Sequence, residues 1–350
     1  MNARERFDAV LAHRPVDRLP CWLGMPTPEA LPGLFEYYGV GDLAGLKAAV
    51  DDDLYPIDVP YDHPPANHIA CAFDFAPAAP ADYTERTLTG QGYFAGMTDP
   101  ARVAEFAWPD PARHIDPAAC RRAAAAVPPG KVGLGILWSA HFQDACAAFG
   151  MEESLVAMLT EPAMFQAVID RILAFYLQAN EIFYQAAADR LQAVLLGNDL
   201  GSQRGLMVGP NELRRFVFPG IRRLIGQAHQ HGLKVIYHSC GSIEPIIDDL
   251  IDAGADVIHP IQPLAAGMEA GHLQRAYGGR VAFCGGVDVQ RLMSAGTPAD
   301  VRDEVVRLRR LFPAGLILSP SHEALLPDVP PANVAAFFDA CRQTLSKESA

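Results

Sequence analysis

Short apolar or β-branched runs alternate with helical stretches along this 350-residue chain, and that alternation is the strongest limit on its fold. Eight runs read as strands, at residues 19–24, 54–59, 132–139, 193–199, 234–240, 256–261, 281–288 and 315–321. Between them, 161–189 and 210–229 carry apolar stripes at helical spacing. The stretch 243–253 ends at Gly254, a helix-stop residue, and 298–312 opens on Thr297-Pro298, an N-cap followed by proline at the first helical position. A strand-helix-strand order requires parallel strands, because each crossover helix returns the chain to the same end of the sheet. Eight strands, with no G-x-G-x-x-G after the first, favour a closed (β/α)8 TIM barrel over an open dinucleotide-binding sheet.

Residues 60–130 interrupt the alternation. They contain Pro64-Pro65, an Ala- and Pro-rich stretch at 74–82, and strand-like alternation at 83–97. With little apolar density to fold alone, they read as an inserted hairpin and loop after strand two, at the barrel mouth, within one domain spanning 1–350. The net charge of −13 argues against nucleic acid or an anionic membrane surface as a partner. Seven cysteines at irregular spacing imply no disulfide framework and fit a reducing cytoplasm. The charged N-terminal stretch lacks the apolar segment of a signal peptide, and no run approaches the ~18 apolar residues of a transmembrane helix.

In a barrel of this kind, polar residues at the C-terminal ends of strands mark the active site. The predicted ends carry Asp58, Trp138-Ser139, Asn198-Asp199, His238-Ser239-Cys240, Gln262, Cys284, Asp288 and Ser321-His322. His238 and Cys240 are two residues apart and face the same side of a strand. An imidazole and a soft thiolate at one mouth suit Zn²⁺, although a hydrogen-bonded histidine beside an ordinary core cysteine has the same spacing. His322, from the last strand, supplies a third donor, with Cys284 as the alternative; three protein ligands and an open position is the pattern of catalytic zinc. Gly285-Gly286 would let a ligand approach the backbone closely. Asp199 reads either as a helix cap or as a carboxylate doing proton or orientation work, and Asp58 carries the same two readings. Trp138 and Phe142 read as pocket wall, with Asn198, Gln262 and Asp288 as further substrate contacts; Asp288 reads equally as a rim cap.

Several blocks, in order, resemble the uroporphyrinogen decarboxylase superfamily, which includes zinc methyltransferases of corrinoid-dependent systems. They are Arg4-Glu5-Arg6-Phe7 with Arg14 to Pro20, Asn198 to Gly205, His238 to Ile243, Pro260 to Met268, Gly285 to Asp288, and Ser319 to His322 with Pro327 to Pro331. The resemblance implies a barrel, a homodimer, and one of two activities. True decarboxylases carry an arginine-rich segment after the first strand that holds substrate carboxylates. Here that segment is Trp22-Leu-Gly-Met-Pro-Thr-Pro, and no arginine lies between Arg18 and Arg86. A polycarboxylate needs fixed cationic partners, so the chain looks more like the methyltransferase branch, which shares the H-x-C of strand five. That branch has a cysteine where His322 stands here. A histidine in its place implies a less electron-rich, more Lewis-acidic zinc. The implied activity is methyl transfer between a small methylated substrate or thiol and a corrinoid carried on a separate protein. The alternative is a cofactor-free decarboxylase using Asp58 and His322. A non-enzymatic barrel that binds a tetrapyrrole is a third reading, which the polar rim disfavours.

Overall fold

The structure is a computed structural model and describes residues 1–63, 66–76, 88 and 90–343. Its strands are β1 (Met25–Pro26), β2 (Leu54–Asp58), β3 (Val132–Trp138), β4 (Ala193–Gly197), β5 (Lys234–His238), β6 (Val257–Ile261), β7 (Ala282–Val287), β8 (Leu316–Pro320) and β9 (Ala324–Leu325). β2 to β8 form one parallel sheet in sequence order, and β1 pairs with β9 in a two-stranded parallel ladder. Strands β4, β6, β7 and β8 are buried throughout, as expected for a parallel sheet with one face on the barrel interior and the other under helices. The result is the expected TIM-barrel-like α/β fold. Among the described residues, no helix is long and apolar enough to cross a membrane.

The eighth staves position is occupied by 19–24, which is a linker with strand-like pairing rather than a full strand. Trp22 N–H donates to Leu318 O, Leu318 N–H to Pro20 O, and Asp53 N–H to Cys21 O, so the segment bridges β8 to the chain entering β2. Its own donors explain why no ladder forms. Pro20 has no N–H. The N–H groups of Cys21 and Leu23 are taken by the side chains of Asp53 (2.8 Å) and Asp52 (2.9 Å) instead of by a neighbouring strand.

The predicted helices are found, although 243–253 opens as a 3-10 turn at Glu244–Ile246 before the α-helix Ile247–Asp252, and 210–229 is interrupted. Pro162–Ala187 runs unbroken, and Pro298–Leu311 starts with a capping box between Thr297 and Asp300. The expected helix 210–229 begins at Pro210, widens into a π-helical turn at Leu213–Val217, then continues as Phe218–Gln230. Pro219 lacks the N–H that would bond back within the preceding turn, a recognised cause of such widening. Residues 60–130 differ most from expectation. Residues 83–87 and 89 lie outside the described residues, and the described part of 83–97 runs through turns rather than a strand. Short helices at Pro111–His114 and Pro117–Ala125 follow. The stretch is also richer in apolar contacts than its composition suggested. Phe73, Phe75, Phe94, Phe106 and Trp108 pack together, with ring centroids 4.9 Å apart for Phe106–Trp108 and 5.0 Å for Phe75–Phe106. Phe73 extends the cluster onto Phe175 of the long helix at 4.7 Å, which joins the insertion to the main core.

Candidate active site

β5 ends at His238, and β4 ends just before Asn198-Asp199. Gly197 makes their close packing possible: a Cβ there would lie 2.4 Å from the His238 carbonyl oxygen and 2.6 Å from its Cβ. His238 Nε2 donates to Asp199 Oδ1 at 3.2 Å and stands 3.5 Å from Cys240 Sγ. Cys240 N–H donates to the same Asp199 oxygen at 3.1 Å, and Gln143 donates to the other at 3.1 Å. Asp199 is therefore not a helix cap; the next helix begins at Pro210. On the far side, His238 Nδ1 lies 2.9 Å from His259 Nδ1 and 3.4 Å from Glu323 Oε2. His322 stands beside the Cys240 thiol, their ligating atoms within 4.8 Å, and its Nδ1 accepts Ala324 N–H at 3.0 Å and lies 3.5 Å from Glu323 Oε2.

These contacts shift the groups in a consistent way. Burial alone would lower the His238 pKa, but the Glu323 carboxylate and the hydrogen bonds to Asp199 and Cys240 hold it well above the ordinary histidine value. Burial would raise the Cys240 thiol, yet His238 and His322 bring it below its usual value. Burial also opposes ionisation of Asp199, and the His238 hydrogen bond and charge overcome it, down to about 2. His259 is pushed well below its ordinary value by burial and by the positive charge of His238 and His322. A neutral His259 accepts at Nδ1 from His238, which leaves its Nε2–H as the donor; that buried atom has no partner among the described residues, and neither has Glu323 Oε2 in hydrogen-bonding geometry. Opposed pKa shifts concentrated in one cleft are characteristic of functional sites.

The donor set fits a metal ion. The ligating atoms of Asp199, His238 and Cys240 lie within 4.8 Å of one another, and so do those of Cys240, His322 and Glu323 and those of His238, His259 and Glu323. Two donors bound to one tetrahedral zinc at ~2.3 and ~2.0 Å stand roughly 3.5 Å apart, which is the separation of Cys240 Sγ and His238 Nε2. The orphaned Glu323 oxygen adds an unsatisfied buried acceptor that a cation would satisfy.

A cavity of about 220 Å³ opens beside this cluster, lined by Ala70, Trp138, Gln143, Asp199, His238 and Glu323 among others. The Trp138 ring stands edge-on to His238, with centroids 5.2 Å apart. Trp138 and Ser139 both hold φ of 55°. That left-handed backbone is costly for a bulky residue, and such strain gathers at ligand sites where surrounding structure holds it in place. Here Ser139 Oγ donates to Asn180 Oδ1 at 3.1 Å, and its carbonyl accepts His141 N–H at 2.8 Å.

The profile of the uroporphyrinogen decarboxylase (URO-D) family matches residues 93–344. The chain belongs to the uroporphyrinogen decarboxylase family. Among solved structures, a methyltransferase from Methanosarcina mazei aligns with 97% of this chain and 98% of its own at 16% sequence identity, with a TM-score of 0.71. A D-psicose 3-epimerase covers 70% of this chain and 84% of its own at 10% identity, with a TM-score of 0.29. No curated protein matches the sequence.

In this family member, the structure gathers His238, Asp199 and Trp138 at one cavity, with Cys240 beside His238 and Asp199 and His322 near the Cys240 thiol. Gln262 supports them: its Oε1 accepts Gly241 N–H at 2.6 Å, and its Nε2 donates to Cys240 Sγ at 3.4 Å. Other predicted residues lie elsewhere. Cys284 is fully buried beside Ser319, 3.4 Å away, and burial pushes its thiol up to about 12. Gly285 serves packing: a Cβ there would lie 2.6 Å from Ile261 N. Asn198 and Phe142 are buried behind the cavity, joined by a 2.8 Å bond from Phe142 N–H to Asn198 Oδ1. Asp288 caps the short helix Leu292–Ala295, accepting from Arg291 N–H at 2.9 Å and Leu292 N–H at 3.0 Å. Asp58 stands on the rim and makes no hydrogen bond or ion pair among the described residues; the protein packed around its carboxyl removes enough water to raise its pKa against the pull of His68. Sequence reasoning passed over Glu323 and His259. Glu323 directly follows His322, and His259 pairs in register with His238 across β5 and β6; a carboxylate next to a proposed ligand was the available signal for the first.

Proposed function

We propose that this family member is a zinc-dependent methyltransferase that moves a methyl group between a small methylated substrate or thiol and a corrinoid carried by a partner protein. The observation that carries the reading is that Cys240 stands within metal-ligand reach of His238 with Asp199 and of His322 with Glu323, beside a cavity that no described lysine or arginine side chain lines. Substrate carboxylates would find no cationic clamp there, which disfavours the decarboxylase alternative. The likeness to the Methanosarcina mazei methyltransferase supports the barrel that such a site requires. His238, Cys240 and His322 would hold the zinc, which when bound supplies Lewis acidity that lowers a thiol pKa or polarises a methylated heteroatom.

The chain's own groups do the rest. Asp199 holds the loop through Cys240 N–H and the imidazolium form of His238 through Nε2, a proton that a metal ion at that nitrogen would displace. His259 accepts from His238 Nδ1 and fixes its tautomer. Trp138 forms a rigid wall that limits the substrate to a few heavy atoms. The corrinoid protein would dock over the open mouth, and the seven free cysteines suit work in the reducing cytoplasm. Elemental analysis and a methylcobalamin absorbance assay test the reading. Stoichiometric zinc in the wild type, lost together with methyl transfer in Cys240→Ala, is the expected result. Full turnover by a metal-free preparation would overturn it.

A further inference from the structure

The described lysines gather, each paired with a carboxylate, at the ends of the strands remote from the cavity, while the cavity itself is lined by two carboxylates and an imidazole and by no described lysine or arginine. The described lysines all precede or begin strands: Lys47 before β2, Lys131 before β3 and Lys234 at the start of β5. Each is paired there, with Asp52, Asp51 and Asp256 respectively. Arg6 and Arg18 are likewise held by Asp17 and Asp53 at that end. At the mouth, Asp199 and Glu323 line the cavity, and Asp58 stands on its rim. Arg204 and Arg291 follow β4 and β7 but are exposed, and neither lines the cavity. Low-dielectric walls bearing one sign of charge focus the field and concentrate ligands of the opposite sign.

Two further features give that field a shape. Trp138 lines the cavity together with Asp199 and Glu323, and an indole is the best aromatic partner for a cation. Glu323 Oε2 is buried without a hydrogen bond and faces the His238 and His322 imidazoles only at 3.4 and 3.5 Å, so this carboxylate of the cavity lining is incompletely compensated. A zinc ion would be balanced by the Cys240 thiolate and one carboxylate, with the other left to set the sign of the remaining space. At about 220 Å³, the cavity admits a compact ammonium group beside a reacting sulfur, oxygen or nitrogen.

We propose that the substrate of this site carries a positively charged ammonium group, seated against Trp138 and between the Asp199 and Glu323 carboxylates, and that thiols or methyl donors bearing carboxylate or sulfonate groups are excluded. The inference rests on the methyltransferase reading for the identity of the site, but its test needs no turnover. Three compact probes of nearly equal shape differ only in charge: tetramethylammonium, tert-butanol and pivalate. Calorimetric titration of the full chain is expected to show tetramethylammonium binding at least ~10-fold tighter than tert-butanol, with no heat from pivalate. Trp138→Leu and, separately, the isosteric Glu323→Gln should each weaken the cation by roughly fivefold and leave tert-butanol unchanged. A loss confined to the charged probe is not what general unfolding would produce. Pivalate or tert-butanol binding as tightly as the cation would overturn the proposal, as would selectivity untouched by both variants. Charge selectivity that persists in a protein unable to transfer methyl groups would sink the methyltransferase reading and leave this one standing.

Discussion

Asp53 and Glu323 are carboxylates with buried oxygens at opposite ends of the strands, and their surroundings differ completely. Asp53 accepts from Arg18 at 2.6 and 3.1 Å, from Arg6 at 3.2 Å and from Cys21 N–H at 2.8 Å, so both oxygens are saturated. Glu323 faces two imidazoles at 3.4 and 3.5 Å and leaves Oε2 without a hydrogen bond. The N-terminal end is built for stability, with fixed ion pairs stitching 19–24 to the sheet. The C-terminal end carries unsatisfied groups, shifted pKa values and strained backbone at Trp138 and Ser139. That is the division expected when one end of a barrel holds the fold and the other holds the ligand.

The largest effect should come from the saturated end. Asp53→Ala leaves two guanidiniums and a buried N–H without their acceptor and is expected to destabilise the fold by about 3–5 kcal/mol, measured by denaturant titration. Zinc content per folded molecule should be unchanged. A loss below about 1 kcal/mol would mean that the pairs at this end hold little, and the contrast between the ends would fail. Next in size is Gly197→Ala. Its new methyl group would press on the His238 backbone, and overpacking of this kind costs about 1–3 kcal/mol. Because the clash falls on His238, this variant should also lose zinc affinity, a combined defect that Asp53→Ala lacks.

Asp199→Asn should move function more than stability. The side chain keeps its shape but loses the charge that orients His238, and such supporting groups are worth roughly 10- to 100-fold in metal affinity. Its pH dependence has a definite sign. The folded-state pKa of Asp199 is depressed to about 2, so its stabilising contribution is present above the unfolded value near ~3.9 and is lost as pH falls through the folded value. Thermal melts between about pH 4 and pH 2 should fall more steeply in the wild type than in Asp199→Asn. Equal slopes would show that His238 does not hold this carboxylate.

The same contrast explains what could be read from the chain alone. Regular strands and helices follow from apolar periodicity, and seven of the eight predicted strands form within a residue or two of their expected ends. The exception, 19–24, fails where carboxylates from Asp52 and Asp53, remote in sequence, capture its donors; periodicity holds no information about such captures. His238 and Cys240 were legible because their spacing is local. Their partners were less so. Asp199 could not be told from a helix cap until its acceptor contacts were seen, and His259 is visible only through the register of β5 against β6. Phe142 and Asn198 sit at the right positions along the chain but are buried, Asn198 spending its amide on Phe142 N–H and the Tyr237 hydroxyl rather than on the cavity. The aromatic cluster of the insertion was hidden by its spacing, which follows neither a helical nor a strand period.

Glu323→Gln sharpens the comparison with the smallest change. In a saturated site, removing a carboxylate charge strands its donors. Glu323 has few donors to strand: Oε2 has no hydrogen bond, and what the charge supplies is attraction to His238 and His322. Neutralising it trades that attraction against the desolvation of a buried anion, two terms of opposite sign that largely cancel. The expected change in unfolding free energy is within about 1 kcal/mol of wild type, measured by denaturant titration. Binding should respond far more than folding, since the charge is directed at the cavity. If Glu323→Gln instead unfolds the protein as readily as Asp53→Ala does, then the carboxylate at the mouth is a structural group like its counterpart at the other end, and the assignment of that end to ligand binding loses its physical basis.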